Sequence, residues 1–386
     1  MKPFEFFLPA KVIFGAGKAS ETGKAVAAYG RTCMIVTTPW IPAQTGAFNR
    51  IIDTVKAEGV RVILYNEACP NPTLGSILKG TEIAKNEGVD VLLGLGGGSA
   101  MDTAKAIAVG ATHGGTPWDY LFFCEKQPTE AALPVITVTT TSGTGSQVTK
   151  VAVFTNESTA TKSAICHPNI FAKVGIVDPD LMISMPPYLT AATGFDAFTH
   201  AFESYININA NPLIDSIALE AISVIANYLP LAVTDGTNRE ARCQMAYADT
   251  LAGMTIANVG TTLPHAMGQP ISGHAPHVSH GEALALVYPE FIKLTWGAGV
   301  KKFARAARIF DESCLKIPDE EAAASFAGII TDFLKNIGLS LSFTSLKVDT
   351  GILNDVIKEC MDFPDMYVNP VVPAKEELQA MFLRMV

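Results

Sequence analysis

The chain has 386 residues, 28 Lys and Arg against 37 Asp and Glu for a formal net charge of −9, and 48% apolar against only 17% charged residues. Single cores stop growing at roughly 250 to 300 residues, so two cores are expected. An acidic chain with no Lys/Arg run lacks the basic surface that nucleic acid or an anionic membrane needs, which leaves a small-molecule protein as the expectation.

Glu5, Pro9 and Lys11 interrupt the N-terminal apolar stretch. Charged or Pro residues break the other apolar runs short of the roughly 18 residues of a membrane span, so a cytoplasmic location is expected. Residues 33–38, 61–65, 89–95 and 133–138 read as short buried strands, with helical patterns over 48–59 and 74–88 between them. That rhythm predicts βαβ units around a parallel sheet. From about Pro186 strand-like runs vanish, and 190–205, 213–228 and 239–256 carry long helical patterns. Residues 177–187, rich in Pro and turn formers, are the expected hinge, giving an α/β domain over 1–185 and an all-helical domain over 186–386. A crevice between two such domains is a usual place for a ligand.

The strand over 91–95 runs into Gly96, Gly97 and Gly98, and a helix is expected to open with Ser99 and Asp102 spaced as a capping box. Glycines admit a pyrophosphate close to the backbone and the helix start points free N–H groups at it. The run is neither a full dinucleotide fingerprint, since Ser99 replaces the third Gly, nor a P-loop. A second loop, TTTSGTGS over 139–146, follows the next strand with hydroxyls and glycines at a strand's carboxyl end. Two such loops after neighbouring strands point to a nucleotide.

Seven cysteines at 33, 69, 124, 166, 243, 314 and 360 are odd in number and contain no C-x-x-C, so reduced, mostly buried thiols are expected and no thiolate metal site. The histidines are different. Of seven, His265, His274, His277 and His280 fall within sixteen residues, and Asp196 and His200 stand at i and i+4 on one predicted helix face. Imidazoles with one carboxylate are what Zn²⁺ or Fe²⁺ takes, so a metal is expected among them.

Together these motifs resemble the iron-containing (group III) alcohol dehydrogenases. The resemblance rests on GGGSAMD at 96–102, TTTSGTGS at 139–146, VDP at 177–179, GFDAFTHAFE at 194–203, HAMG at 265–268 and HG at 280–281, in the family's order along nearly the whole chain. Asn369-Pro370, Pro373 and Glu376-Glu377 also fit. It implies a dehydroquinate synthase-like two-domain architecture, an α/β dinucleotide-binding domain followed by an all-α domain, with metal and nicotinamide facing each other in the cleft. The implied metal ligands are Asp196, His200, His265 and His280, holding Fe²⁺, Zn²⁺ or another divalent ion. The implied contacts to NAD or NADP are Asn71, Gly97, Gly98, Ser99, Asp102, Thr140, Thr141, Thr144 and Lys162. The implied reaction is reversible oxidation of a small primary alcohol to an aldehyde by hydride transfer, in a homodimer or larger homo-oligomer.

Three departures from the family pattern leave alternatives open. Thr38 stands where many members carry an Asp that holds the adenosine ribose; a threonine does not repel a 2′-phosphate, so NADP is admitted beside NAD. Gln269 replaces a histidine four residues after His265 and cannot relay a proton, which makes His277 the expected proton carrier, with His274 as an alternative. The loop from His265 is one residue longer than in several relatives, so His277 competes with His280 for the metal. Phe195, Phe198, Met254 and Met267 are candidate pocket walls, with core packing the commoner job for each. A dehydroquinate-synthase-type lyase would need basic side chains for phosphate, yet 186–281 holds only Arg239 and Arg242. A glycerol-dehydrogenase-like zinc enzyme and a non-catalytic nucleotide sensor complete the alternatives.

Overall fold

Along the second strand, Cys33 and Ile35 point to one side while Met34 and Val36 point to the other, and all four are fully buried, so this strand needs helices on both faces. The computed structural model, which describes residues 3–39 and 46–386, supplies them. Two units divide the chain: Phe7–Ser184, and Met185–Val386 together with residues 3–6.

In the first unit six strands form one parallel sheet: β1 Lys11–Phe14, β2 Thr32–Val36, β3 Arg61–Tyr65, β4 Val91–Gly96, β5 Val135–Thr139 and β8 Val174–Val177. Their order is β1-β8-β5-β4-β2-β3. Helices Thr22–Ala27 and Gly46–Ala57 cover one face, packing Val26, Phe48, Ile51 and Val55 on Cys33, Ile35, Leu93 and Ile136. Helices Leu74–Asn86 and Gly98–Thr112 cover the other, packing Ile77, Ala104 and Ile107 against Met34, Val36 and Leu92. The chain leaves β2 outward to β3 and returns on the other side to β4, a reversal of winding that opens a crevice at the strands' carboxyl ends. Thr38, just after β2, and the Gly97 turn, just after β4, flank that reversal.

A hairpin of β6 Val151–Asn156 and β7 Thr161–Cys166 stands apart as an antiparallel pair. It, β1 and β8 were not anticipated from the sequence. Where strands and helices were expected they occur, with ends shifted by a few residues.

The second unit is helical. Helices Pro187–Ile206, Pro212–Thr234, Arg239–Val259, Leu263–His274 and His280–Thr295 are followed by four more, Val300–Phe310, Asp319–Asn336, Leu353–Asp362 and Lys375–Leu383. Phe195, Phe198 and Phe202 recur at helical spacing on the first of these and meet Tyr288 and Phe291 in one apolar cluster. Each such ring is worth about 1.5–3 kcal/mol in buried apolar surface. Helix Pro212–Thr234 is long and apolar enough to cross a membrane by length and composition alone. Asp215 and Glu220 interrupt it, and Ala218, Ile222, Ile225 and Leu229, spaced as one helical stripe, are fully buried against protein. The thiols are free but less buried than expected: Cys33, Cys314 and Cys360 are buried, and the other four are partly exposed.

Candidate metal centre and nucleotide loops

In the helical unit, four side chains from three helices converge on one oxygen. Asp196 Oδ1 lies 3.4 Å from His200 Nε2, 3.8 Å from His265 Nε2 and 3.9 Å from His280 Nε2. The His200 and His265 rings stack with centroids 5.0 Å apart, and His265 meets His280 edge-on at 5.1 Å. Donors that share one tetrahedral ion at about 2.1 Å sit about 3.4 Å from one another, so these spacings suit a single ion. Among the described residues Asp196, His265 and His280 also form a group whose donor atoms all lie within 4.8 Å. Three nitrogens and one carboxylate oxygen suit a divalent transition ion, and the donor set therefore fits the metal that the sequence implied. Asp196, His200 and His265 are buried, whereas the His280 side chain keeps 27% exposure and marks the open side.

Local sequence explains each placement. Asp196 and His200 are one turn apart in Pro187–Ile206. His265 sits in the first turn of Leu263–His274, where Pro264 needs no amide partner. His280 is the first residue of its helix because Ser279 and Glu282 form a capping box. Gly281 then lets the two helices touch, since a Cβ there would lie 2.2 Å from the Ala192 carbonyl oxygen.

A fifth residue was quoted in the sequence motif without a role. Glu203, fully buried, accepts from the Thr262 amide at 2.7 Å and has Oε1 at 2.9 Å from His265 Nδ1. Burial pushes its carboxyl well above the usual range, while the Thr262 and His265 hydrogen bonds act the other way. For His265 to turn a lone pair of Nε2 toward Asp196, Nδ1 must carry the proton, and Glu203 is the acceptor that keeps it there. The sequence signal was available: Glu203 lies seven residues after Asp196, two helical turns along the same face.

His277 lies elsewhere. It is exposed, and its Nε2 sits 3.0 Å from the Leu346 carbonyl oxygen, outside the group formed by Asp196, His265 and His280. His274 Nε2 is held 3.0 Å from Glu359. Of the residues read as pocket walls or core, Phe195, Phe198 and Met267 are fully buried in the hydrophobic core, and Met254 is partly exposed. Arg242 is also buried, donating to Thr190 Oγ1, the Met185 carbonyl and the Gly236 carbonyl, so it offers nothing to a phosphate.

In the α/β unit the two loops lie side by side, because β4 pairs with β5 through Gly96 and Thr139 and the Thr140 amide donates to the Gly96 carbonyl at 3.0 Å. Gly98 needs to be glycine, since a Cβ would meet Thr144 side-chain atoms at 2.7–2.9 Å. The expected capping box does not form. Gly97 is the N-cap and the helix begins at Gly98, leaving Ser99 inside the first turn. Asp102 instead accepts from Ser146 Oγ at 2.6 Å and from the Val153 amide at 3.0 Å. Lys162, buried, donates to Asn71 Oδ1 at 2.9 Å, with Asn71 held at φ 51°. Thr38 is buried just past β2, and its hydroxyl has no hydrogen-bond partner among the described residues. The buried hydroxyl of Thr141, which faces Gly97, likewise has none among the described residues.

Comparison with known proteins extends this picture. Residues 9–179 match the model of the iron-containing alcohol dehydrogenases, and residues 190–386 match that of the Fe-containing alcohol dehydrogenase family, C-terminal. The choline dehydrogenase of Bacillus subtilis (strain 168) is 37% identical over 373 residues, covering 96% of this chain and 92% of the relative. An archaeal halo-thermophilic alcohol dehydrogenase from a Red Sea brine pool superposes with a TM-score of 0.95 at 35% identity, with both chains fully covered. The sulfoacetaldehyde reductase of Bifidobacterium kashiwanohense, solved with NAD⁺, superposes with a TM-score of 0.85 at 30% identity over 100% of this chain and 99% of that one.

Proposed function

The chain belongs to the iron-containing alcohol dehydrogenase family, and on that premise we propose that it reversibly oxidises a small primary alcohol to an aldehyde, with Asp196, His200, His265 and His280 holding the metal. The protein is a metal-dependent, nicotinamide-dependent oxidoreductase acting on an alcohol. The convergence of three imidazole nitrogens on Asp196 Oδ1 carries the assignment of the ligands. When bound, the ion supplies Lewis acidity that lowers the pKa of an alcohol hydroxyl, and the nicotinamide accepts the hydride.

The protein's own part is orientation. Glu203 holds the proton of His265 on Nδ1, Ser279 and Gly281 set His280 on the side open to solvent, and the buried faces of Asp196, His200 and His265 keep water from the rest of the cluster. Gly97, Gly98 and Ser99 with Thr140, Thr141 and Thr144 present amides and hydroxyls to the cofactor phosphates, while Asn71 and Lys162 form a paired polar contact beside them. Asp102 acts by holding Ser146 in the second loop. Thr38 carries no charge against a 2′-phosphate, which supports use of NADP as well as NAD. His277, exposed and with its Nε2 hydrogen-bonded to the Leu346 carbonyl, is the proposed carrier of the hydroxyl proton to solvent. A cytoplasmic homodimer or larger homo-oligomer, contacting neither nucleic acid nor membrane, completes the reading.

Anaerobic purification, metal analysis and absorbance at the reduced-nicotinamide band, with NAD and NADP against primary alcohols including choline, test it. Turnover of at least one primary alcohol with about one metal per chain is expected. Bound metal and nucleotide with no reaction across the panel would favour the sensor reading instead.

A further inference from the structure

The helix that opens at the glycine turn carries a lysine with no role in the reading above. Lys105 is fully buried, and its ammonium sits in a cradle of main-chain oxygen: 2.7 Å from Ser146 O, 3.0 Å from Thr149 O and 2.9 Å from Val151 O. The Ser146 and Thr149 hydroxyls add contacts at 2.9 and 3.3 Å. Three ammonium protons thus meet three carbonyls from one short stretch of chain, the continuation of the TTTSGTGS loop into β6. Asp102, one turn earlier on the same helix, takes the Ser146 hydroxyl and the Val153 amide. Ser146 is therefore gripped by both residues, and the loop that ends at it is pressed onto the glycine turn, with Thr141 over Gly97 and Thr144 over Gly98.

We propose that Lys105 is the positioning residue of the cofactor site: its positive charge, spent on the carbonyls of Ser146, Thr149 and Val151, holds the Thr140–Thr144 stretch in register with the Gly97 turn, and cofactor affinity depends on that charge. The proposal rests on the reading of Thr140, Thr141 and Thr144 as cofactor contacts. A neutral amine has only two protons and turns a lone pair toward a carbonyl oxygen, so the cradle loosens when the charge is lost. Burial lowers the lysine pKa to about 8, opposed by Asp102 and Cys166, and Lys162 is the other cation close to Asp102. The charge is present below that pH and lost above it.

The test is titration of the metal-loaded enzyme with NADH or NADPH, whichever the parent binds more tightly, read by nicotinamide fluorescence. Lys105→Met, which keeps length and removes charge, is expected to weaken binding about tenfold or more at pH 7, with metal content unchanged and the loss larger in Kd than in turnover at saturating cofactor. The parent's affinity is expected to fall with rising pH above about pH 8, and that fall should vanish in Lys105→Met. Thr144→Val, which probes the loop directly, should weaken binding independently. A Lys105→Met enzyme that melts lower yet binds as the parent does, while Thr144→Val binds weakly, overturns the proposal and leaves the loop reading standing. Parent affinity in Thr144→Val overturns both. If Lys105→Met does not fold, the parent's pH titration decides, and an affinity constant from about pH 7 to about pH 9.5 overturns the proposal.

Discussion

Replacing Gly281 by alanine should cost the protein its metal without touching a ligand. An added Cβ would lie 2.2 Å from the Ala192 oxygen, 2.7 Å from its carbonyl carbon and 3.1 Å from its Cα, all main-chain atoms of the helix that carries Asp196 and His200. No rotamer relieves such a contact, so the helices must part by roughly 1 Å to reach ordinary carbon–oxygen separation. Overpacking of this kind costs about 1–3 kcal/mol. Metal distances tolerate only about 0.2 Å, so His280, adjacent to the substituted residue, leaves the shell. Metal affinity is expected to fall about 10- to 100-fold, measured by competition with a graded chelator series, with apo-protein melting lowered by a few degrees. Gly268→Ala is the control, because its Cβ would come tightest to the movable Leu284 side chain at 3.2 Å and meet main chain only at an ordinary 3.6 Å. A Gly281→Ala protein with parental metal affinity and melting temperature would refute the placement of His280 by helix contact, and His277 would return as the rival ligand.

Three further outcomes are expected. Glu203→Gln can accept from either Thr262 or His265 but not both, so its amide group opposes one donor; metal affinity should drop about 10- to 100-fold in the same competition assay, and an unchanged value would count against the orienting role. Thr38→Asp should raise KM for NADP relative to NAD by about tenfold in steady-state kinetics, while an unaltered ratio would show that this position does not face the 2′-substituent. Burial raises the Glu290 carboxyl, but hydrogen bonds from Lys293 and Arg384 outweigh it and the net is a lowered pKa. A lowered carboxylate stabilises the fold above its unfolded value and loses that contribution as pH falls through the folded one. Parent and Glu290→Gln melting curves should therefore differ near neutral pH and converge in acid; a gap that widens in acid would contradict the sign.

How much of this was legible before the structure depends on how each feature is encoded. Fully buried strands such as Val91–Gly96 announce themselves by continuous apolar runs, and the helices after Pro187 by their period. β1 and β8 were missed because four residues are too few for a pattern, and β6 and β7 because Thr, Ser, Lys and Asn blur the alternation of a hairpin set apart from the main sheet. The capping-box reading of Ser99 and Asp102 failed because the same spacing served a tertiary partner: Asp102 is satisfied by Ser146 and Val153, far along the chain. The four ligand candidates were legible as a cluster of a scarce residue. Glu203 shares a helix face with Asp196, but its role as acceptor shows only once Thr262 and His265 stand beside it, and that of Gly281 only beside Ala192.

The most direct test of the account is metal content and alcohol-dependent reduction of NAD(P)⁺ measured on parent and His200→Ala preparations made side by side. The account predicts about one ion per chain with turnover in the parent, and neither in a folded His200→Ala protein. A His200→Ala protein that turns over at the parental rate without metal would contradict it.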